Sequence, residues 1–135
     1  MPAQFTLGKK ERLKRRKIIE QLFSEGKAIH APPLRLTYKL YSKTLESPLQ
    51  AGFSASSRQF KKAVDRNRIK RVLREAWRLQ KNTLQEKLAH EQKQLAVFIV
   101  YTGKELPSFA KVQEQMAVIL NKLEKRLDED NTKNT

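Results

Sequence analysis

Residues 66–78 read Arg66-Asn67-Arg68-Ile69-Lys70-Arg71-Val72-Leu73-Arg74-Glu75-Ala76-Trp77-Arg78. At about 100° per residue on an α-helix, Ile69, Val72, Leu73, Ala76 and Trp77 fall within one apolar arc. Asn67, Lys70, Arg71, Arg74 and Arg78 collect on the other side. One face is built to be buried, and the opposite face is a ladder of cations with a single amide in it. Neither Gly nor Pro interrupts the stretch, so the spacing predicts a continuous helix. A solvated helix face ordinarily mixes signs, with Glu placed four residues from Lys or Arg. Here Glu75 is the only acid against six basic side chains. Like charges this close repel, and a polyanion relieves the repulsion. Arg outnumbers Lys in the ladder, which favours forked contacts to phosphate oxygens.

The whole chain leans the same way. Its 135 residues make room for one domain with one core. A net charge of +15 points to nucleic acid ahead of an acidic membrane surface or an acidic protein. Residues 1–78 hold 20 Lys plus Arg and 6 Asp plus Glu, a net +14, whereas residues 79–135 hold 9 and 8, a net +1. The excess therefore belongs to the front half. With no cysteine, disulfides, thiolate metal sites and cysteine nucleophiles are excluded. His30 and His90 are far apart and fall in no metal-ligand spacing. No apolar signal region and no run approaching 18 apolar residues is present, so a cytoplasmic protein without a membrane span is expected.

Outward from the ladder, the chain alternates helical and strand patterns. A basic block, Lys9 to Lys17, leads into a helix running to about Glu25, with Ile18, Ile19, Leu22 and Phe23 on its apolar side and Gly26 as its stop. A short strand near Lys27 to Ile29 is compatible with the pattern. Leu34 to Tyr41 alternates with period two: Leu34, Leu36, Tyr38 and Leu40 face one way, Arg35, Thr37, Lys39 and Tyr41 the other. Leu49 to Ser56 repeats the alternation, and Gly52 lets something approach its backbone. Residues 57–65 form a basic loop in which Phe60 reads as a core anchor ahead of a base-stacking platform. The helical pattern continues past Arg78 through Leu79, Leu84 and Leu88. Leu95 to Tyr101 is apolar throughout, a strand buried on both faces. Ser108 caps a last helix whose core stripe is Val112, Met116, Ile119, Leu120, Leu123 and Leu127. From Asp128 the tail has little to bury and is expected to be disordered. The fold class is α+β: a two-layer sandwich with a small mixed four-stranded sheet and helices packed on one face.

Lys62 to Ala76, with Arg66-Asn67-Arg68 at its centre, resembles the signature of the protein subunit of bacterial ribonuclease P. Arg12-Leu13 followed by Leu22-Phe23 and Gly26 is similar to that family's N-terminal helix, and Gly52 to Ser56 to its strand before the signature loop. The resemblance spans about residues 5–125. It implies a fold like the second domain of a small-subunit ribosomal protein, with a left-handed crossover carrying the signature helix. It also implies a role as accessory subunit of an RNA-based endonuclease that removes the 5′ leader of precursor tRNA, the RNA holding the magnesium and performing the hydrolysis. On this resemblance Arg66, Asn67, Arg68, Lys70, Arg71, Arg74 and Arg78 would bind the catalytic RNA. Phe23, Arg35, Thr37, Ser54, Ser56, Arg58, Lys61 and Lys62 would border the cleft for the single-stranded leader. Two positions depart from the family: Ile19 replaces an aromatic cleft residue, and the loop Ser57 to Lys61 is one residue longer, with Gln59 where a second lysine is common. The family's cleft tyrosine corresponds to Thr37 or Tyr38, of which strand parity puts Thr37 on the polar face.

No catalytic constellation of the chain's own is visible: no paired acids at metal-site spacing in the ordered part, no Gly-rich phosphate loop, no Ser, His and Asp arrangement. Neither a catalytic group nor a cofactor is therefore expected on the protein. A structural RNA-binding protein, such as a ribosomal component or an RNA chaperone, needs only the basic front half and stands as the alternative. A membrane-binding amphipathic helix fits less well, because the rest of the domain can cover the face that holds Trp77.

Overall fold

The computed structural model describes residues 11–42, 44–45 and 47–133. Its elements are α1 (Arg16–Glu25), β1 (Lys27–Ala31), β2 (Leu34–Tyr41), β3 (Leu49–Ala55), α2 (Ala63–Gln80), α3 (Asn82–His90), β4 (Gln94–Tyr101) and α4 (Phe109–Lys133). The strands form one sheet in the order β1-β2-β4-β3. β1 with β2 and β2 with β4 are antiparallel, whereas β3 and β4 are parallel. A parallel pair needs a crossover, and α2 and α3 together supply it. The sheet is thus mixed and four-stranded, as the patterning predicts.

The period-two patterns decide which side chains share a face. Leu34, Leu36 and Tyr38 of β2, Leu95, Val97 and Ile99 of β4, and Leu49 and Ala51 of β3 meet Ile69, Leu73, Ala76 and Trp77 of α2 in one core. Leu84 and Leu88 of α3 and the α4 stripe from Val112 to Leu127 complete it. The Trp77 ring stands edge-on to Phe53, with centroids 6.2 Å apart. α2, α3 and α4 therefore share one face, and α1 lies on the other, so the helices are not confined to one face as the patterning led one to expect. There Leu13, Ile18, Leu22 and Leu45 close over Ala96, with Tyr41 and Phe98 packed at the border. The reason is β4 itself: a strand apolar on both sides has to be covered on both sides.

Gly26 ends α1 as expected, for a reason of space. Its backbone is extended, at φ −75° and ψ 166°. A Cβ there would lie 2.4 Å from the Leu22 carbonyl oxygen and 2.9 Å from that of Tyr38. Ser108 caps α4 through its Oγ, which accepts from the Lys111 N–H at 3.2 Å. α4 then runs on to Lys133, so a tail disordered from Asp128 does not hold for its backbone through residue 133. Leu127 is buried and Asp128 forms an ion pair with Lys87 of α3. Extending a helix that is already nucleated and anchored costs little.

The helical pattern after Arg78 resolves into two helices that meet at Lys81. This residue is 1% exposed, and its ammonium lies 3.0 Å from a Glu11 carboxylate oxygen. Gln85 accepts from Lys81 Nζ at 3.0 Å and donates to the other Glu11 oxygen at 3.2 Å. An ammonium this deep needs its partner, because an unpaired buried charge is strongly destabilising. Glu11→Ala should lower unfolding stability by about 3 kcal/mol in a urea titration. An unchanged midpoint would show that the Lys81 ammonium is solvated without Glu11.

Candidate nucleic-acid interface

Two surfaces gather the residues singled out in the sequence. The first is the outer side of α2. Burying Ile69, Leu73, Ala76 and Trp77 turns the opposite side of the rod to solvent, leaving Asn67, Arg68 and Arg71 exposed and Lys70 and Arg74 half-buried. No carboxylate among the described residues pairs with Arg68, Lys70, Arg71 or Arg74. The ends of the ladder are engaged differently. Arg66 Nη1 donates to the carbonyl oxygens of Phe60 and Lys61, at 2.8 and 2.9 Å, and so staples the preceding loop to the first turn of the helix. Its other nitrogens are not used by those bonds. Arg78 donates to Glu75 from Nε at 3.1 Å and from Nη2 at 2.5 Å. These bonds hold the Glu75 carboxyl below the usual glutamate range, against a smaller opposing effect of burial. Because the folded-state pKa is depressed, the pair contributes at neutral pH and is lost only as the pH falls through that lowered value.

The second surface is the part of the sheet that α1 leaves open. α1 ends at Gly26, over the middle of β2 and β4. Thr37 lies directly beneath it, 6% exposed, with its Cγ2 only 3.0 Å from where a Cβ on Gly26 would be. Thr37 is therefore on the face that strand parity assigns, but the residue is buried there rather than laid open to a ligand. Beyond Gly26 the register places Arg35 opposite Val100, and Ser54 beside Val100 on the other flank. Arg35 is exposed and Ser54 half-buried. Phe23, at the end of α1 and 55% exposed, meets the Phe98 ring edge-on with centroids 5.3 Å apart.

Phe98 is the residue that the sequence reading missed. β4 reads as uniformly apolar, so nothing in its composition says that one side chain near its middle stays half-exposed. The usable signal is Gly52, its register partner: a Cβ there would meet the Phe98 ring at 2.7 and 2.8 Å. The glycine leaves room for the Phe98 ring beside the neighbouring strand. Between the two surfaces runs the loop after β3. Ser56 sits just past the strand and its Oγ accepts from the Gln59 N–H at 3.4 Å. Arg58, Lys61 and Lys62 are exposed. Phe60 is buried, 6.0 Å from Tyr101 between ring centroids, and is the expected core anchor.

A family model described as Ribonuclease P matches residues 7–124. The chain belongs to the ribonuclease P protein family. Among its relatives, the ribonuclease P protein component of Porphyromonas gingivalis is 39% identical over 115 residues, covering 85% of this chain and 84% of the relative. That of Chlorobaculum tepidum is 32% identical over 115 residues, covering 78% and 74%. Solved structures show the same fold. The RNase P protein of Staphylococcus aureus superposes with a TM-score of 0.63 at 16% identity, covering 82% of this chain and 93% of that one. The RNase P protein of Thermotoga maritima gives 0.63 at 22% identity, covering 83% and 96%. The role of the family is 5′-leader processing of precursor tRNA together with an RNA subunit, and it is the role of this chain.

The Glu75–Arg78 pair neutralises one cation at the end of the α2 row. Glu75→Gln removes a negative charge and releases the Arg78 fork. Affinity for the ribonuclease P RNA, measured by filter binding, should rise by up to about fivefold, the scale of one exposed ion pair. A weaker complex would mean that Glu75 supports the interface instead.

Proposed function

We propose that the two surfaces divide the two RNAs of the ribonuclease P holoenzyme between them. The outer side of α2, with Asn67, Arg68, Lys70, Arg71 and Arg74, and with Arg66 and Arg78 at its ends, takes the backbone of the catalytic RNA. The open part of the sheet, with Phe23, Phe98, Arg35, Ser54 and Ser56, takes the single-stranded leader of precursor tRNA, and Arg58, Lys61 and Lys62 border it. The observation that carries this reading is the contrast between the surfaces. One is a row of cations in which Arg68, Lys70, Arg71 and Arg74 meet no carboxylate among the described residues, suited to the regular phosphates of folded RNA. The other pairs two aromatic rings with small hydroxyls and one arginine, suited to unstacked bases on a flexible strand. Both RNAs meet in the cytoplasm, where the protein would work.

No group of three or more His, Asp or Glu side chains among the described residues could hold a metal ion, and no helix among them is long and apolar enough to cross a membrane. In this reading the hydrolysis and its magnesium belong to the RNA. The protein acts by neutralising phosphates, which lowers the repulsion between catalytic RNA and substrate and reduces the concentration of free divalent ions that the complex requires.

Reconstitution tests this division. Added to the catalytic RNA, the chain should raise precursor-tRNA cleavage most strongly at low magnesium; no gain there would overturn the reading. Arg68→Ala should flatten the dependence of log K on log salt for the catalytic RNA by about 0.7 to 0.9, one phosphate's worth. Phe98→Ala should leave that slope alone. It should weaken precursor binding about fivefold relative to mature tRNA, the lower end of one base stacked on an aromatic ring. Equal losses for both tRNAs would place the leader elsewhere.

A further inference from the structure

Seven cations fill residues 9–17, and the sheet itself holds Arg12 in place. Arg12 forms a β-bridge with Ala51 at the edge of the sheet, and the next N–H, that of Leu13, donates to the Ala51 carbonyl at 2.9 Å. On one side of Arg12, Leu13 is buried in the smaller core. On the other side, Glu11 reaches the buried Lys81 ammonium and Gln85. Both neighbours are pinned, so the backbone of Arg12 has little freedom while its side chain stays exposed.

That side chain lines a concavity of about 210 Å³ together with Arg71, Arg74, Glu75 and Arg78 of α2. Residues 71, 74 and 78 follow one another at i, i+3 and i+7, so they form a single stripe on the helix. The one carboxylate of the concavity is taken by Arg78. Arg12, Arg71 and Arg74 meet no carboxylate among the described residues. Three planar forks thus converge from two elements far apart in the chain. A buried ion pair is a poor source of stability compared with an apolar replacement, whereas fixing Glu11 beside the α2–α3 junction sets where Arg12 stands.

We propose that Arg12, Arg71 and Arg74 form a pocket for one phosphodiester of the catalytic RNA, with Glu11 and Lys81 as positioning residues. The proposal rests on the reading of α2 as the RNA-subunit face, and adds to it a residue from outside the helix. A phosphodiester has one negative charge and two unesterified oxygens, which forked donors from two directions can hold at once. An RNA backbone is favoured over a free phosphate because the stripe continues along α2 to Arg68 and Lys70, where the following phosphates would lie. The pocket ties the N-terminal segment to the helix in recognising one group.

A double-mutant cycle tests it, with the full chain and a transcript of the catalytic RNA titrated over a range of salt concentrations. Arg12→Ala and Arg74→Ala should each weaken binding about tenfold and each flatten the salt slope by less than the about 0.7 to 0.9 of a whole phosphate, because the remaining arginines still hold it. Because both arginines hold the same phosphate, the double variant should lose clearly less than the product of the two effects. Arg12→Lys should keep the slope and recover only part of the affinity, since it restores the charge without the fork. Arg12 is exposed, so the urea midpoint of Arg12→Ala should match that of the parent chain. Unchanged binding in Arg12→Ala alongside weakened binding in Arg74→Ala would overturn the pocket and leave the α2 reading standing. Fully multiplicative losses would overturn the shared phosphate. A parent chain that binds this transcript no better than an unrelated RNA of equal length would instead overturn the RNA-subunit reading itself.

Discussion

α2 has to satisfy two environments at once. Along one side Ile69, Leu73, Ala76 and Trp77 are removed from water entirely, an amount of apolar burial that anchors the helix against the sheet. Along the other side the cations are held at helical spacing without enough acids to neutralise them, at a standing electrostatic cost. An isolated helix with that charge pattern would be poorly stable. The burial offsets the repulsion, and the repulsion is what bound phosphates would relieve. The sheet, the crossover and the long α4 behind α2 all serve to keep that rod in place.

The second constraint is β4. Its apolar residues alternate between the larger core and the side that α1 covers, and α1 is too short to cover all of that side. Among the described residues, what remains open is a shelf bounded by Phe23 and Phe98, with Arg35 and Ser54 beyond. The two surfaces are therefore consequences of two elements with different shortfalls: a helix with too few acids, and a strand with too little cover. The loop from Ser56 to Lys62 joins them, and the Arg66 staple to Phe60 and Lys61 fixes how the loop enters the helix.

Much of this was legible in the sequence because it is local. The strand Leu34 to Tyr41, the ladder with its buried arc, the Ser108 cap and the α4 stripe are each written in residues a few positions apart. The unmarked features are tertiary. The break at Lys81 involves neither Gly nor Pro, and its partner Glu11 is 70 positions away. The burial of Thr37 depends on where α1 stops, and the exposure of Phe98 on the same boundary, so strand parity could assign faces but not cover. The helical course from Asp128 to Lys133 follows from anchorage to α3, which the polar composition of that stretch conceals. Arg12 could be read as one cation among seven; only the fold brings it beside Arg71 and Arg74.

The division of labour between the two surfaces can be read directly, because the chain has no cysteine of its own and each surface can carry a single one. A photo-crosslinker attached at Asn67→Cys, on α2, and separately at Ser54→Cys, on the open sheet, would be activated in the holoenzyme with precursor tRNA bound. The account predicts adducts to the catalytic RNA from position 67 and to leader nucleotides from position 54. Adducts to the same RNA from both positions, or the reverse assignment, would contradict it.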